Sequence, residues 1–555
     1  MHKRLMLSIA MLAIGAGLLA ATAAGGSSGS SSPNASSGPA QTGGTFRVSL
    51  NTDLDYVDPA LAYYTVSWSI EYATCANLMN YPDAPAPRGS RLVPEVAQGV
   101  PQISKNGKVY TFNLKKTYKF NNGAKVTAAN YAAAINRNLN SKMASPAQPF
   151  IEDIVGASAV IDGKATKASG VKVLSPYKLR ITLTKRAPDL LSRLAMPFFC
   201  PIATNMPINP EGVGAPVLGS GPYYISKWEP KRSITLLRNS FYKGPRPHNV
   251  NRVEYDIGLP LTTIRLNLEN NSTDYPGDGL PPAAHAELGQ KYGVRKASPG
   301  QYFVNPSAAF RYLALNHDRP LFGGSAAGNV GLKKAVNNAI DRIAMINQRG
   351  AYAGVINDQY MPPTMRGFKN AALYPSRPNV ARARSLAQGN LRGGKGIFYC
   401  ANSGAAPPTC QIAQDNLKAI GLDTEIKLFP RAVQFTKTGT RGEPFDISLE
   451  GWHMDYFDPY DFIFLLDGST IRPANNVNFS YFNSPAYNRK IAAAASLVGQ
   501  ARYRAFGNLD VDLAKNAAPL ASYITDNTRI LVSKSTGCFA YHPVYELDIP
   551  SICKK

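Results

Sequence analysis

Apolar and polar residues alternate along Thr45 to Leu50 (TFRVSL), the pattern of a short strand. Tyr110, Phe112 and Leu114 face one side of a second alternating run, with Thr111 and Asn113 on the other. Lys105-Asn106-Gly107 precedes that run, and Asn-Gly is a favoured hairpin pair. The period then changes. Thr127 stands where a helix cap belongs, and Tyr131, Ile135 and Leu139 follow on one apolar stripe. Val171–Leu174 and Leu179–Leu183 predict another hairpin, turned at Ser175-Pro176. Leu332, Val336, Ala339, Ile340 and Ile343 predict an amphipathic helix. Ile412, Leu417 and Ile420 predict a further one, ended by Gly421. Strands Gly396–Tyr399 and Thr424–Phe429 flank that last helix, which gives a β-α-β unit. There is no internal repeat, and no single period runs throughout. The pattern is that of an α/β chain of several lobes.

Length agrees. The 555 residues suffice for two or three domains at ~100–200 residues each. The formal net charge is +24, yet Lys and Arg are spread thinly with no dense basic block. That argues against a nucleic-acid partner and suits a dispersed surface in an anionic cell envelope. His2, Lys3 and Arg4 form a basic n-region, Leu5 to Leu19 an apolar h-region, and Ala21-Thr22-Ala23 an A-x-A cleavage site. A signal peptide over residues 1–23 is therefore expected, and export to the periplasm or the extracellular face of the cell membrane. Residues 24–43 are rich in Gly, Ser, Pro and Ala and read as a flexible linker. No other stretch approaches the length of a membrane span. Cys75, Cys200, Cys400, Cys410, Cys538 and Cys553 are an even set, which favours disulfides in an exported chain. Six cysteines allow fifteen pairings, and there is no C-x-x-C or zinc-site spacing.

The chemistry concentrates in GWHMDYFDPYDF, Gly451 to Phe462. Trp452, Tyr456 and Phe457 form an aromatic wall beside several carboxylates, a surface suited to a cationic amine. H-E-x-x-H and Walker A sequences are missing, and His453 next to Asp455 has no accompanying nucleophile motif. Binding is expected rather than catalysis, with no cofactor and no metal.

Several stretches together carry a family resemblance. GGTFRVSLNTDLDYVDPALAY (Gly43 to Tyr63), LVPEVAQG with GKVYTFNLKKTYKFNNGAKVTAANY (Leu92 to Tyr131), GSGPYYISKWEPKRSITLLRNSFYKG (Gly219 to Gly244) and YLALN with AIDR (Tyr312 to Arg342) resemble, in order, the blocks of the family 5 extracellular solute-binding proteins of ABC importers. GWHMDYFDP falls where that family places its ligand-contacting loop. Two positions depart from the pattern: Asn130 stands where an Asp is usual, and the tryptophan usual near Val100 is missing.

The resemblance implies a periplasmic-binding-protein-like α/β fold, two lobes with an extra inserted domain, of the class II/cluster C type. Domain I would comprise residues 44–82, 201–300 and 527–555, domain II residues 83–200, and domain III residues 301–526. It implies a monomer that captures a peptide or similar solute and hands it to ABC permease subunits, touching the membrane only through them. A solute sensor or peptide-binding chaperone on the same fold is the alternative. Asp455 would hold a ligand amino group, with Trp452, Tyr456, Tyr64 and Asn478 as further ligand contacts. Relatives that take dipeptides use an Arg in the loop after the Gly396–Tyr399 strand. Here Ala401–Thr409 has neither Arg nor Lys, so a longer peptide or another solute is expected. No Cys precedes Cys75, so no thioether lipid is expected. Cys400–Cys410 and Cys538–Cys553, nearest neighbours in sequence, are expected to pair. Cys75 and Cys200 would then join across the inserted domain.

Overall fold

The computed structural model describes residues 41–324 and 328–555. The signal peptide and nearly all of the Gly/Ser linker lie outside the described residues. Three sheets organise the rest. A five-stranded sheet takes Thr45–Leu50 between Arg252–Ile257 and Tyr275–Pro276, both parallel to it, and continues through Ser233–Arg238 to Tyr223–Glu229. Phe46, Val48 and Leu50, the apolar half of TFRVSL, are buried in its core.

A four-stranded antiparallel sheet is built from Gln102–Ile103, Val109–Asn113, Lys178–Thr182 and Val171–Ser175. Helix Ala128–Leu139 packs on it through Tyr131, Ile135 and Leu139. At its cap, Asn130 Oδ1 accepts from both the amide and the hydroxyl of Thr127. The family's usual Asp at this position would accept the same bonds. Asn130 uses its amide instead to donate to the Ile202 carbonyl.

A six-stranded sheet runs Gly354–Val355, Leu520–Leu531, Tyr302–Leu315, Ile447–His453, Lys395–Ala401, Asp423–Phe429. The last two are parallel and joined by helix Ala406–Lys418, so the β-α-β unit is present. Gly421 ends it with φ +85°, a left-handed value that favours glycine. One sequence-based element needs correction. The stripe from Leu332 to Ile343 is not one helix but two, Val330–Ala339 and Arg342–Asn347. Ile340 is extended, and Asp341 caps the second helix by accepting from the Ala344 amide. The apolar stripe survives because both helices bury residues in the same core.

Disulfides join Cys75 to Cys200, Cys400 to Cys410 and Cys538 to Cys553. The first spans 125 residues and closes the segment that carries the four-stranded sheet. Among the described residues no helix is long and apolar enough to cross a membrane.

Candidate functional site

The site begins with strand Ile447–His453, which pairs antiparallel with Tyr302–Leu315 along its length. On its other side it meets Lys395–Ala401 only at Ile447 and Ser448. Among the described residues, no strand lies beside the edge from Leu449 to His453. Register puts Gly451 opposite Arg311. A Cβ on Gly451 would lie 2.8 Å from the Arg311 Nη1. The glycine is what lets this guanidinium lie across the strand.

Beyond the strand the chain turns at Met454 and presents three aspartates with three different environments. Asp458 accepts the Tyr460 amide and forms a buried ion pair with Arg502 at 2.7 Å. Asp461 is fully buried and accepts the Asp455 amide at 3.0 Å and the Trp452 indole N–H at 3.3 Å. Burial, and then the neighbouring Asp455, push its pKa well above the usual carboxylate range. Asp455 is buried and has no cationic partner within ion-pair distance among the described residues. Its Oδ2 accepts the Tyr63 hydroxyl at 2.8 Å. Burial raises its pKa to about 7, although the Tyr63 bond and His453 pull the other way. It is a carboxylate held at large desolvation cost without the cation that would offset it.

Around Asp455, segments distant in sequence meet. Tyr63, Trp68 and Phe198 pack tilted or edge-on into an aromatic corner, with centroids 5.3–5.6 Å apart. Tyr81 accepts the Phe457 amide. Arg472 donates to Gln148 and pairs with Glu152. Residues from the segment of the four-stranded sheet are thus in contact with residues from the six-stranded one.

A second cluster escaped sequence reading. Arg311 and Arg349 share Asp526, at 2.7 and 3.2 Å. Arg529 donates to the carbonyls of Arg349 and Ala351. Arg431, at the start of helix Arg431–Thr438, forms no hydrogen bond or ion pair with any described residue. Its surface is exposed, yet desolvation, and then the Arg311 charge, lower its pKa. Arg311 keeps 29% and Arg349 19% of its side chain in solvent. His453 and Glu546 lie 3.4 Å apart. Burial opposes protonation of His453, but Glu546 and Asp455 outweigh it and raise the pKa.

A model of the bacterial extracellular solute-binding proteins, family 5 (middle region), matches residues 91–473. The chain belongs to this family. It is 24% identical over 447 residues to the periplasmic oligopeptide-binding protein OppA of Escherichia coli K12, covering 77% of this chain and 78% of the relative. It is 21% identical over 511 residues to the dipeptide-binding protein DppE of Bacillus subtilis 168, covering 89% and 88%. Among solved structures, clavulanic acid biosynthesis oligopeptide binding protein 2 superposes with a TM-score of 0.82 at 22% identity, covering 93% of this chain and 96% of that one. The Helicobacter pylori protein DppA in complex with the peptide STSA gives 0.77 at 20%, covering 93% and 98%. These likenesses show the multi-domain α/β fold of a solute-binding protein.

Within this family 5 fold the expected contacts differ in what they offer. Trp452 is buried against Asp461 and forms the wall behind Asp455. Tyr64 is 40% exposed and lies close enough to Arg431 for each to shift the other's pKa. Tyr456 is enclosed, its hydroxyl 3.2 Å from Asp189 and its ring edge-on to Phe150. Asn478 is buried and serves its own loop, donating to the Phe482 carbonyl and accepting from Ser480 and Phe482. Neither Tyr456 nor Asn478 presents a polar atom to the cleft in this structure. Among the described residues, Glu71, Cys75 and Cys200 have metal-ligand spacing, but the two sulfurs are bonded to each other.

Proposed function

We propose that this family 5 protein is an exported monomer that closes two lobes around a peptide or similar amine-bearing solute and delivers it to the permease subunits of an ABC importer. In this reading, residues 44–82, 201–300 and 527–555 form one domain, residues 83–200 are inserted in it, and residues 301–526 form the opposing lobe. Each domain then has one of the three sheets at its centre. The relatives whose names specify oligopeptides or dipeptides support the solute class.

The observation that carries the reading is Asp455. A buried carboxylate without a cation, at a junction between segments that lobe motion would separate, is poised for an incoming ammonium. Trp452 backs it, and the unpaired strand edge beside it can align an extended peptide backbone. In the same reading the protein catalyses nothing. The test is to identify the solute that co-purifies after gentle denaturation, then measure its effect on the melt of stripped protein. A specific solute at 100-fold its Kd adds ~2.7 kcal/mol of apparent stability. An amine-bearing solute that stabilises the protein supports the reading. Turnover of the solute, or no stabilisation by it or by any peptide in a broad panel, refutes it.

A further inference from the structure

Lys and Arg are spread thinly along the sequence, but the fold gathers many of them on one face. The segment closed by Cys75–Cys200 holds 18 Lys and Arg and 6 Asp and Glu, a net +12 and half of the chain's +24. All six carboxylates already have cationic partners. Asp83 and Glu95 face Arg246 at 3.1 and 3.6 Å, Asp153 and Asp189 share Arg193 at 2.9 and 3.4 Å, Asp162 meets Lys164 at 3.0 Å, and Glu152 pairs with Arg472. Of the bases, Arg137, Lys164 and Arg193 are in ion pairs, and the other fifteen form none with any described residue. The four-stranded sheet orders them. Its Tyr110, Phe112, Leu179 and Ile181 side is buried in the core that holds helix Ala128–Leu139. The alternate residues face the other way. Register sets Gln102, Thr111, Arg180 and Lys172 in one row across the four strands, with Lys178 beside Asn113 in the next. Past one end of the strands, exposed Lys185 and Arg186 continue the charge, Arg186 lying against Gly107. Past the other end, the Lys116 Nζ lies 5.7 Å from the Tyr177 ring centre. At that same end two apolar side chains stand in solvent. Val173 and Leu174, each 44% exposed, belong to the edge strand that carries Lys172.

We propose that this face of the four-stranded sheet docks on an anionic phospholipid bilayer. A sheet face carrying dispersed, unpaired cations matches a plane of phosphate headgroups, which attracts every cation brought within a Debye length of it. Charge alone would suit a soluble polyanion equally well. Val173 and Leu174 decide between the two. An apolar hairpin end flanked by Lys172, Lys178 and Lys116 can enter the headgroup boundary while the ammonium groups stay at the level of the phosphates. A soluble polyanion offers no apolar phase to enter. Tyr177, partly buried at the same hairpin end, is a residue type that settles at membrane interfaces. The family resemblance implies contact with the membrane only through permease subunits, and this face adds a direct one. Holding the protein at the bilayer raises its effective concentration near any permease there. Neither Asp455 nor its aromatic corner lies on this face, so bilayer docking and solute capture are separable.

The test is co-sedimentation of the full exported chain with vesicles of phosphatidylcholine, alone or mixed equally with phosphatidylglycerol, at about 50 and 300 mM NaCl. Wild-type protein should bind the mixed vesicles at low salt, lose most of that binding at high salt, and leave phosphatidylcholine vesicles unbound. Combining Lys172→Glu, Lys178→Glu and Arg180→Glu should weaken binding by about tenfold or more. The control combines Arg382→Glu, Lys395→Glu and Lys418→Glu, the same change of charge at exposed bases outside this segment. It should bind within about twofold of wild type. Val173→Ser with Leu174→Ser should weaken binding several-fold and leave its salt dependence unchanged. Thermal melts show whether each variant is folded, and Lys172→Gln with Lys178→Gln is the gentler substitute should the triple reversal unfold. Absence of binding to the mixed vesicles, equal binding to phosphatidylcholine, or equal weakening by the control set would overturn the proposal. Tight binding of soluble polyphosphate, with vesicle binding indifferent to Val173 and Leu174, would overturn it in favour of a polymer. Solute affinity is not read in this experiment, so each outcome stands apart from the reading of Asp455.

Discussion

The Asp455 corner and the Arg431 cluster are charged in opposite senses and built on opposite terms. Asp455 is dry, backed by Trp452, and opposed by an aromatic corner of Tyr63, Trp68 and Phe198. Its charge is suppressed by burial, with a pKa of about 7. Arg431 is wet, its neighbours are cations, and its charge persists. The dry corner gains most when a ligand cation lifts its desolvation penalty. One motif also contains the contrast in miniature. Asp458 has Arg502 as a cationic partner, and Asp455, three residues earlier, has none at ion-pair distance among the described residues. The first is part of the fold, and the second is left for the ligand.

The largest effect that could break this contrast concerns Arg502. Arg502→Leu strands the Asp458 carboxylate in a buried site and should destabilise the protein by ~3–5 kcal/mol in a denaturant titration. If Arg502→Leu is harmless while Asp455→Asn unfolds the protein, the roles assigned to the two aspartates are reversed.

Asp455→Asn should instead weaken an amine-bearing solute by ~2–5 kcal/mol in calorimetry. It should also stabilise the unliganded protein, with a definite pH dependence. A carboxylate whose folded pKa lies above its unfolded value binds more protons when folded. Its contribution is therefore neutral below pH ~4 and becomes unfavourable as pH rises toward 7. The asparagine has no such term. The stability difference between variant and wild type should grow from near zero at pH 4 to ~4 kcal/mol at pH 7.5. A difference that is flat across this range would show that Asp455 is already neutralised inside the protein.

Gly451→Ala sharpens the other half. Its Cβ would meet the Arg311 Nη1 at 2.8 Å and Cδ at 3.0 Å, so the flexible side chain must move. Stability should fall by ~1 kcal/mol or less, since a side-chain end gives way more easily than backbone. A melt unchanged from wild type would show that Arg311 is not held in that place.

How much of this could be read from sequence follows the same division. The TFRVSL strand and the Ala128–Leu139 helix were legible because each buries one face, and burial writes a period into the chain. The Leu332–Ile343 stripe misled because a helix break at Ile340 leaves the apolar spacing intact. Asp455 was nameable because motif and environment coincide within one short run. The electrostatic setting of Arg431 was not legible, because it comes from Arg311, Arg349 and Tyr64, which lie in other segments. Nothing local separates it from the other arginines of a basic chain. Gly451 was the one available hint: a glycine inside a strand often marks a close approach, here that of Arg311.

The most direct test of the account is calorimetric titration of the co-purifying solute into stripped wild-type and Asp455→Asn proteins. The account predicts a solute with an amine, bound by wild type and weakened by about tenfold or more by the substitution. A neutral solute whose affinity the substitution leaves unchanged would contradict it.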